Sequence, residues 1–463
     1  MATLVNIVNT DSANGKAVKV RFRGATNSDD LLDFTLFLSP GDVWAGAVLK
    51  GPDGRAMLTT PDKSCTLPTA DNWAGGVSFI TSRLPDYVGA DNQAALTREG
   101  YVEVLNMADI APGSELFKAT KHVSGVAPCL ADVPLTGPVT ATNPSYGALR
   151  SRLLSTSTDL VGARADGLAY PTGGLMGSWS ILDLGHMGTY SGTQTAVIAT
   201  AATVVPASGT VPTSAANLQF FPQIPDGVGA DVTTWTADPL LTGTAPIIAP
   251  LWFDLPDMST PLTAATAAAQ ADQLTAALSK DNVINEYIAT AAGAAVPFTT
   301  DWVVSQPTRR YHVAVDYGSG FNHTTDPAVL VRRGTPPDPY AAGSLVLQNT
   351  GFGPQACLPL AFSSTDREEF QVRASSGGFS PGTPSTTLNY CGEVFVAQFG
   401  ATSALQASIT NRQVTANGQA GWASIGSGAG QLPMVGYAAT LFNNEVNGNK
   451  YGLTFQHRWL APR

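Results

Sequence analysis

The feature that most constrains the fold is a strict alternation of apolar and basic residues between positions 17 and 25. Side chains of a β-strand point alternately to opposite faces, so a period of two predicts a strand rather than a helix. One face is expected to join a hydrophobic core, and the basic face is expected to lie in solvent. The alternating residues are Val18, Val20 and Phe22 on one face and Lys19, Arg21 and Arg23 on the other.

Similar short strand-like segments recur near both ends of the chain, and the composition supports them. Charged residues make up only 13% of the sequence, which is about half the usual share. Lys and Glu, which favour exposed helices, occur eight times each, whereas 27 of the 35 acidic residues are Asp, which favours turns. The sequence therefore predicts a mainly β protein, a jelly-roll-like β-sandwich with long loops.

One inserted helical region is expected in the second half. An Ala-rich segment runs from Pro261 to Ser279 without an interior Pro or Gly, and a second helix is predicted from Asp281 to Gly293. Strands near both termini predict that early and late strands pair to close one sandwich. The predicted parts are the first part of the sandwich (1–110), a loop-rich region with strands (111–257), the helical insertion (258–296) and the second part of the sandwich (297–463).

Two Asn-Gly pairs mark expected tight turns. Asn14-Gly15 predicts a hairpin between the first two strands, and Asn447-Gly448 predicts one between the last two.

The four cysteines fall into two groups separated by more than 200 residues, and none forms a CxxC motif. Proximity along the chain favours two disulfides, and four buried free thiols are the alternative. The expected pairs are Cys65–Cys129 and Cys357–Cys391.

Several classes of protein are disfavoured by simple chemistry. The net charge of -10 and the lack of a basic tract argue against nucleic-acid binding. No segment approaches the roughly 20 apolar residues of a membrane-spanning helix. The sequence contains no GxSxG, HExxH or GxxxxGK[ST] motif, so we expect a protein that is not an enzyme. The first residues lack a basic and apolar leader, which is typical of a mature secreted chain restarted with Met.

An acidic group between residues 27 and 33 is the candidate metal site. Asp29, Asp30 and Asp33 supply the hard oxygen ligands that Ca²⁺ requires, although the EF-hand pattern is absent. A turn or a helix cap is the simpler interpretation of these aspartates, and a pair of glycosidase carboxylates is a further alternative.

The tryptophans are the candidate contacts for a glycan or a protein partner. Trp44, Trp302 and Trp459 lie within or beside predicted strands, where packing in the core is expected. Trp73 and Trp235 lie in loop-like segments and are the better candidates for exposed contacts.

Three stretches of the chain resemble proteobacterial cell-surface proteins, a group that includes surface-layer-type (S-layer-like) proteins of the outer membrane. They are "VRFRGATNSDDLLDFTLFLSPGDVWAGAV", "GYVEVLNMADI" and "VINEYIATAAG…TDWVVSQPTRRYHV". The resemblance covers about a third of the chain and supplies no catalytic residue. It implies an extracellular, self-associating structural protein that uses Ca²⁺ at its acidic loops.

The leading hypothesis is therefore a secreted subunit of a bacterial surface lattice or extracellular filament. Its main partner would be itself, and lipopolysaccharide of the outer membrane or a surface glycan would be the attachment point. A glycan-binding adhesin or carbohydrate-active enzyme is the first alternative, and a viral capsid or appendage protein is the second. The scarcity of Lys and Glu favours assembly, because few charges must be desolvated when such surfaces meet.

Overall fold

The computed structural model describes eleven ranges of the chain, apart from residues 83, 126, 170, 184, 186, 187 and 295 within them. The ranges are 1–67, 75–131, 167–197, 274–290, 294–315, 330–332, 340, 345–369, 386–427, 431–444 and 449–459. In these ranges the protein is mainly β, as the sequence predicts.

Strands of the N-terminal half, residues 1–197, form two antiparallel sheets. Sheet A has the order β11-β10-β1-β4-β5-β7, and sheet B has the order β6-β3-β2-β8-β9. The strands are β1 (Ala2–Asn9), β2 (Gly15–Gly24), β3 (Asp30–Leu38), β4 (Val43–Lys50), β5 (Ala56–Thr59), β6 (Cys65–Leu67), β7 (Val77–Ser78), β8 (Gly100–Ile110), β9 (Leu168–Ala169), β10 (Leu175–Asp183) and β11 (Gly188–Thr193).

Strands of the C-terminal half, residues 274–459, form two five-stranded sheets and two small ones. The strands are β12 (Ser279–Lys280), β13 (Asn282–Ile288), β14 (Phe298–Ser305), β15 (Val313–Val315), β16 (Leu330–Arg332), β17 (Val346–Thr350), β18 (Gly353–Asp366), β19 (Thr386–Cys391), β20 (Val394–Gln398), β21 (Asn411–Gln413), β22 (Ala420–Gly426), β23 (Leu432–Pro433), β24 (Val435–Asn444) and β25 (Asn449–Gln456). Sheet C has the order β13-β22-β18-β17, with β19 also on β18, and sheet D has the order β21-β20-β14-β24-β25. Strands β12 and β23 form one small sheet, and β15 and β16 form the other.

Each half has its own hydrophobic core. Sheets A and B share a cluster that includes Ile7, Val20 and the buried ring of Trp44. Sheets C and D share a second cluster around the buried ring of Trp302. The core positions predicted for these two tryptophans are confirmed. The jelly-roll-like β-sandwich stays a prediction, because sheets that share a core can be arranged and connected in several ways.

No described sheet combines strands from both halves, so the expected pairing of early with late strands is not found in the described part of the chain. The halves meet instead through side-chain contacts and through the backbone N–H groups of Glu393 and Val394, which donate to the carbonyl oxygen of Ala25. Asn27, for example, exchanges two hydrogen bonds with the backbone of Val315.

Helices are few and short in the ranges that the structure describes. The α-helices with defined bounds are α1 (Ala90–Leu96) and α2 (Glu115–Thr120), where Ser114 caps α2 by accepting a hydrogen bond from the Phe117 backbone. Short 3-10 helices cover Asp86–Val88, Pro128–Ala131 and Arg309–Tyr311.

The predicted helical insertion is only partly helical where the structure describes it. Residues 274–278 are helical, and most of the predicted first helix lies outside the described residues. The predicted second helix is wrong, because this segment forms β13 in sheet C. Val283 and Tyr287 are four residues apart, a spacing that places them on one face of either a helix or a strand. Their β-branched and aromatic side chains favour the strand.

The expected solvent exposure of the basic face of β2 is also wrong. Lys19 and Arg21 are fully buried, and Arg23 is nearly so. Strand β2 is central in sheet B, between β3 and β8, and both faces of that sheet are covered. The apolar face meets the core shared with sheet A, and carboxylates neutralise the basic face.

Candidate assembly surface

Strand β25 forms one edge of sheet D and exposes an apolar stripe. Tyr451, Leu453 and Phe455 alternate along it and are 53%, 50% and 48% exposed. The residues between them face the other way, toward β11, where the backbone N–H of Ser191 donates to Thr454 Oγ1 at 3.3 Å. Gly452 is in close contact with the backbone of Thr189, so a side chain would not fit there. One face of β25 is therefore covered, and the stripe lies on the open face.

An aromatic ladder anchors the stripe to the sheet. Phe298, Phe442 and Tyr451 are consecutive register partners on β14, β24 and β25. Their ring centroids are 5.1 Å and 5.8 Å apart, within the range of favourable ring contacts. The ladder holds the ring of Tyr451 in place on the edge strand, so less conformational entropy is lost when a partner covers it.

The edge lacks most features that keep sheets apart. Natural edge strands are commonly protected by charges, Pro or bulges. Strand β25 pairs with β24 over eight consecutive residues without a register shift, and Lys450 is its only charged residue. We call the side chains of Tyr451, Leu453 and Phe455 the β25 stripe. Alternation in the sequence identified this segment as a strand, but nothing in the sequence marked it as an exposed edge.

Two tryptophans are also exposed. Trp422 is 44% exposed on β22, opposite Glu286 of β13. Trp459 is 54% exposed, and Lys280 Nζ lies 4.3 Å from the centroid of its ring. The core position expected for Trp459 is therefore wrong, because it follows the last strand rather than lying within it. Trp73 and Trp235 lie outside the described residues.

The candidate calcium ligands Asp30 and Asp33 lie beside basic residues of β2. Asp33 accepts a hydrogen bond from Lys19 at 3.1 Å, and an Asp30 oxygen lies 3.8 Å from Arg23. Asp29 is fully buried beside them. The described residues contain no group of three or more acidic, His or Cys side chains arranged to hold a metal ion. Calcium binding by Asp29, Asp30 and Asp33 stays a prediction.

Both predicted disulfides are confirmed. Cys65 of β6 is bonded to Cys129 of the 3-10 helix Pro128–Ala131. Cys357 and Cys391 are bonded across β18 and β19, where they are direct register partners. Each bridge stays within one half of the chain.

Buried ion pairs occupy the contact between the halves. Glu103 of β8 accepts hydrogen bonds from Arg23 at 3.0 Å and from Arg310 of the C-terminal half at 3.1 Å, and Arg21 lies 3.7 Å away. Burial alone would raise the pKa of Glu103, but the three positive charges outweigh it and lower this pKa to about 2. In the C-terminal half, burial raises the pKa of Glu393 to about 6 despite its ion pair with Arg309. Because guanidinium groups engage both carboxylates, the cluster is suited to holding the fold together.

Glu99 provides a second link between the halves. Its carboxylate accepts hydrogen bonds from the backbone N–H groups of Ser408, Ile409 and Thr410 and from the hydroxyls of Ser408 and Thr410, at 2.6–3.2 Å. Successive N–H groups around one carboxylate form a favourable anion-binding concavity.

Comparisons with known proteins identify no relative: no family model, curated protein or solved structure matches this chain. In the part of the chain that the structure describes, no helix is long and apolar enough to cross a membrane.

Proposed function

We propose that this protein is a secreted structural subunit that assembles with copies of itself on a bacterial cell surface, as an S-layer-like lattice or an extracellular filament. The observation that supports the proposal is the β25 stripe on an unprotected edge strand. Two copies that pack the β25 stripe of one against the β25 stripe of the other would bury this apolar face on both, and such a contact uses the same patch twice.

The size of the stripe favours repeated weak contacts. Its half-exposed side chains offer about 300 Å² of apolar surface per copy, whereas a standard interface buries about 800 Å² per partner. Covering it on two copies would contribute about 15 kcal/mol, against an association cost of about 4–15 kcal/mol. For one contact alone, the favourable free energy of burial is therefore about equal to the cost of association. Several contacts per subunit, as in a lattice, would make the assembly stable.

A charge placed on the stripe tests the proposal. Leu453→Lys puts an ammonium group at the centre of the contact, and Val123→Lys places the same change on another exposed apolar residue. We expect wild type and Val123→Lys to form oligomers or arrays in mass photometry and negative-stain microscopy, and Leu453→Lys to remain monomeric with an unchanged circular dichroism spectrum. A wild-type protein that is strictly monomeric at every concentration, with and without Ca²⁺, would refute the proposal.

Two further parts of the proposal concern ligands. Ca²⁺ at Asp29, Asp30 and Asp33 would strengthen assembly, and isothermal titration with Ca²⁺ before and after chelation measures this. Lipopolysaccharide or a surface glycan would attach the array, and co-sedimentation with lipopolysaccharide-containing vesicles tests the attachment.

Glycan binding is the second candidate function, and exposed Trp422 supports it. A flat indole ring beside the carboxylate of Glu286 can stack on a sugar while the carboxylate accepts hydrogen bonds. Binding to a polysaccharide panel that is lost in Trp422→Ala and kept in Trp459→Ala would support it. Equal binding by both variants would contradict this site.

A further inference from the structure

Lys16 and Asp109 lie face to face in the interior of sheet B. They are direct register partners on β2 and β8, and their side chains are 0% and 4% exposed. Lys16 Nζ lies 2.6 Å from Asp109 Oδ1. This contact places Nζ within about 4 Å of the carboxyl carbon Cγ, close to the ~3–3.5 Å separation of groups poised to react.

Two further residues surround the pair. Asp11 Oδ2 accepts a hydrogen bond from Lys16 Nζ at 3.2 Å. Thr172 Oγ1 accepts from the same Nζ at 2.9 Å and donates to Asp109 Oδ2 at 2.5 Å. The Thr172 backbone N–H donates to Asp109 Oδ1 at 3.1 Å. The four residues thus join an amine, a carboxyl group, a second carboxylate and a hydroxyl in one hydrogen-bonded ring.

We propose that Lys16 and Asp109 condense to form an intramolecular isopeptide bond between β2 and β8. Nζ attacks Cγ, the Nζ–Cγ bond forms and the Cγ–Oδ2 bond breaks. The ammonium group gives up two protons and the carboxylate gives up one oxygen, which leave together as water, so a neutral amide replaces one positive and one negative charge. No oxidant, reductant or other reactant is needed.

The surrounding groups have defined parts in this step. Thr172 Oγ1 connects Nζ to Oδ2 and relays one proton to the departing oxygen, while the Thr172 N–H stabilises negative charge on Oδ1. The second proton follows the same route through Thr172 Oγ1, and Asp11 Oδ2, which accepts a hydrogen bond from Nζ, holds the amine in position. Backbone N–H groups of Asn14 and Ala13 hold the pKa of Asp11 well below its usual range, so its carboxylate is ionised at neutral pH.

The proximity of Lys16 and Asp109 offsets the unfavourable free energy of amide formation. Amide formation from an acid and an amine is unfavourable in dilute solution, but groups held in contact by a fold reach effective concentrations of about 10⁵ M or more. Sheet B already fixes both strands, so closing the bond orders little additional chain. The bond would hold β2, the central strand of the sheet, to β8 covalently.

Intact-mass spectrometry of the full-length protein tests the proposal directly. We expect the wild-type mass to fall below the sequence mass, corrected for both disulfides, by about 18 Da, the mass of one water. A tryptic digest should contain one branched peptide that joins the segments around residues 16 and 109, without cleavage after Lys16. Lys16→Arg and Asp109→Ala should both lack the mass loss.

Control variants show whether the loss of water belongs to this pair of residues. Lys19→Arg alters the neighbouring buried Lys–Asp pair, in which Lys19 lies 3.1 Å from Asp33, and should retain the loss of one water. Thr172→Val should slow bond formation in freshly synthesised protein by tenfold or more, because the hydroxyl relay is removed. A wild-type mass with no loss of water would overturn the proposal, and the pair would then be an ion pair only. A branched peptide that maps to other residues would overturn it as well.

Discussion

Replacement of Glu103 by Gln tests how strongly the buried charges hold the two halves together. Gln has nearly the same shape as Glu but no charge, so the change leaves the guanidinium groups of Arg21, Arg23 and Arg310 short of one carboxylate. A carboxyl pKa lowered from 4.5 to about 2 corresponds to about 3 kcal/mol of favourable interaction with the ionised form. Removal of one partner from a buried ion pair costs a similar amount, about 3–5 kcal/mol.

The effect of pH has a definite sign. The pKa of Glu103 is lower in the folded protein than in the unfolded chain, so the unfolded state binds the proton more readily. The stabilisation is therefore complete above about pH 4.5 and is lost as the pH falls toward 2. Glu103→Gln should lower the free energy of unfolding by about 3 kcal/mol at pH 7 and by much less near pH 2.

Urea denaturation followed by tryptophan fluorescence at a series of pH values measures this difference. Glu115→Gln is the matched control, because Glu115 forms a partly exposed ion pair with Lys118 that should contribute less than about 1 kcal/mol. If Glu103→Gln were as stable as Glu115→Gln at pH 7, or if its difference from wild type were the same at pH 3 and pH 7, the reasoning about the buried cluster would be wrong.

Three other changes probe single features of the fold. Glu99→Gln should weaken the link to residues 408–410 and increase amide hydrogen exchange there, whereas unchanged exchange would contradict the link. Replacing Cys357 and Cys391 together by Ala should lower the stability of the C-terminal half by about 2–4 kcal/mol in urea denaturation, and an unchanged midpoint would contradict this. Trp302→Ala should cost about 3–5 kcal/mol because its fully buried ring fills the core of the C-terminal half, and a loss below 1 kcal/mol in the same assay would contradict that role.

The two Asn-Gly pairs show how much of the strand pairing local sequence can predict. Asn447-Gly448 lies between β24 and β25, which pair as the sequence predicts. Asn14-Gly15 lies between β1 and β2, but these strands join different sheets, so the expected hairpin is wrong. A turn sequence specifies the local backbone, and the faces that must be buried decide whether the flanking strands pair.

The candidate assembly surface was harder to predict from the sequence than the fold class. Alternation identified the strand around Leu453, but whether a strand lies at an edge depends on which strands become its neighbours. Likewise, Asp29, Asp30 and Asp33 were grouped by sequence, and the structure places basic residues of β2 beside Asp30 and Asp33.

Local patterns in the sequence were enough to predict the mainly β class. Proximity along the chain favoured the disulfide pairs that the structure contains, and position within predicted strands gave the burial of Trp44 and Trp302 but not the exposure of Trp459. Tertiary structure alone decided the environment of each strand face. The basic face of β2 is buried because carboxylates from β3 and β8 neutralise it, and the stripe on β25 is exposed because β11 covers only the opposite face of this strand. Alternation fixes which side chains share a face, but only the packed neighbours determine whether that face meets water, charge or another apolar surface.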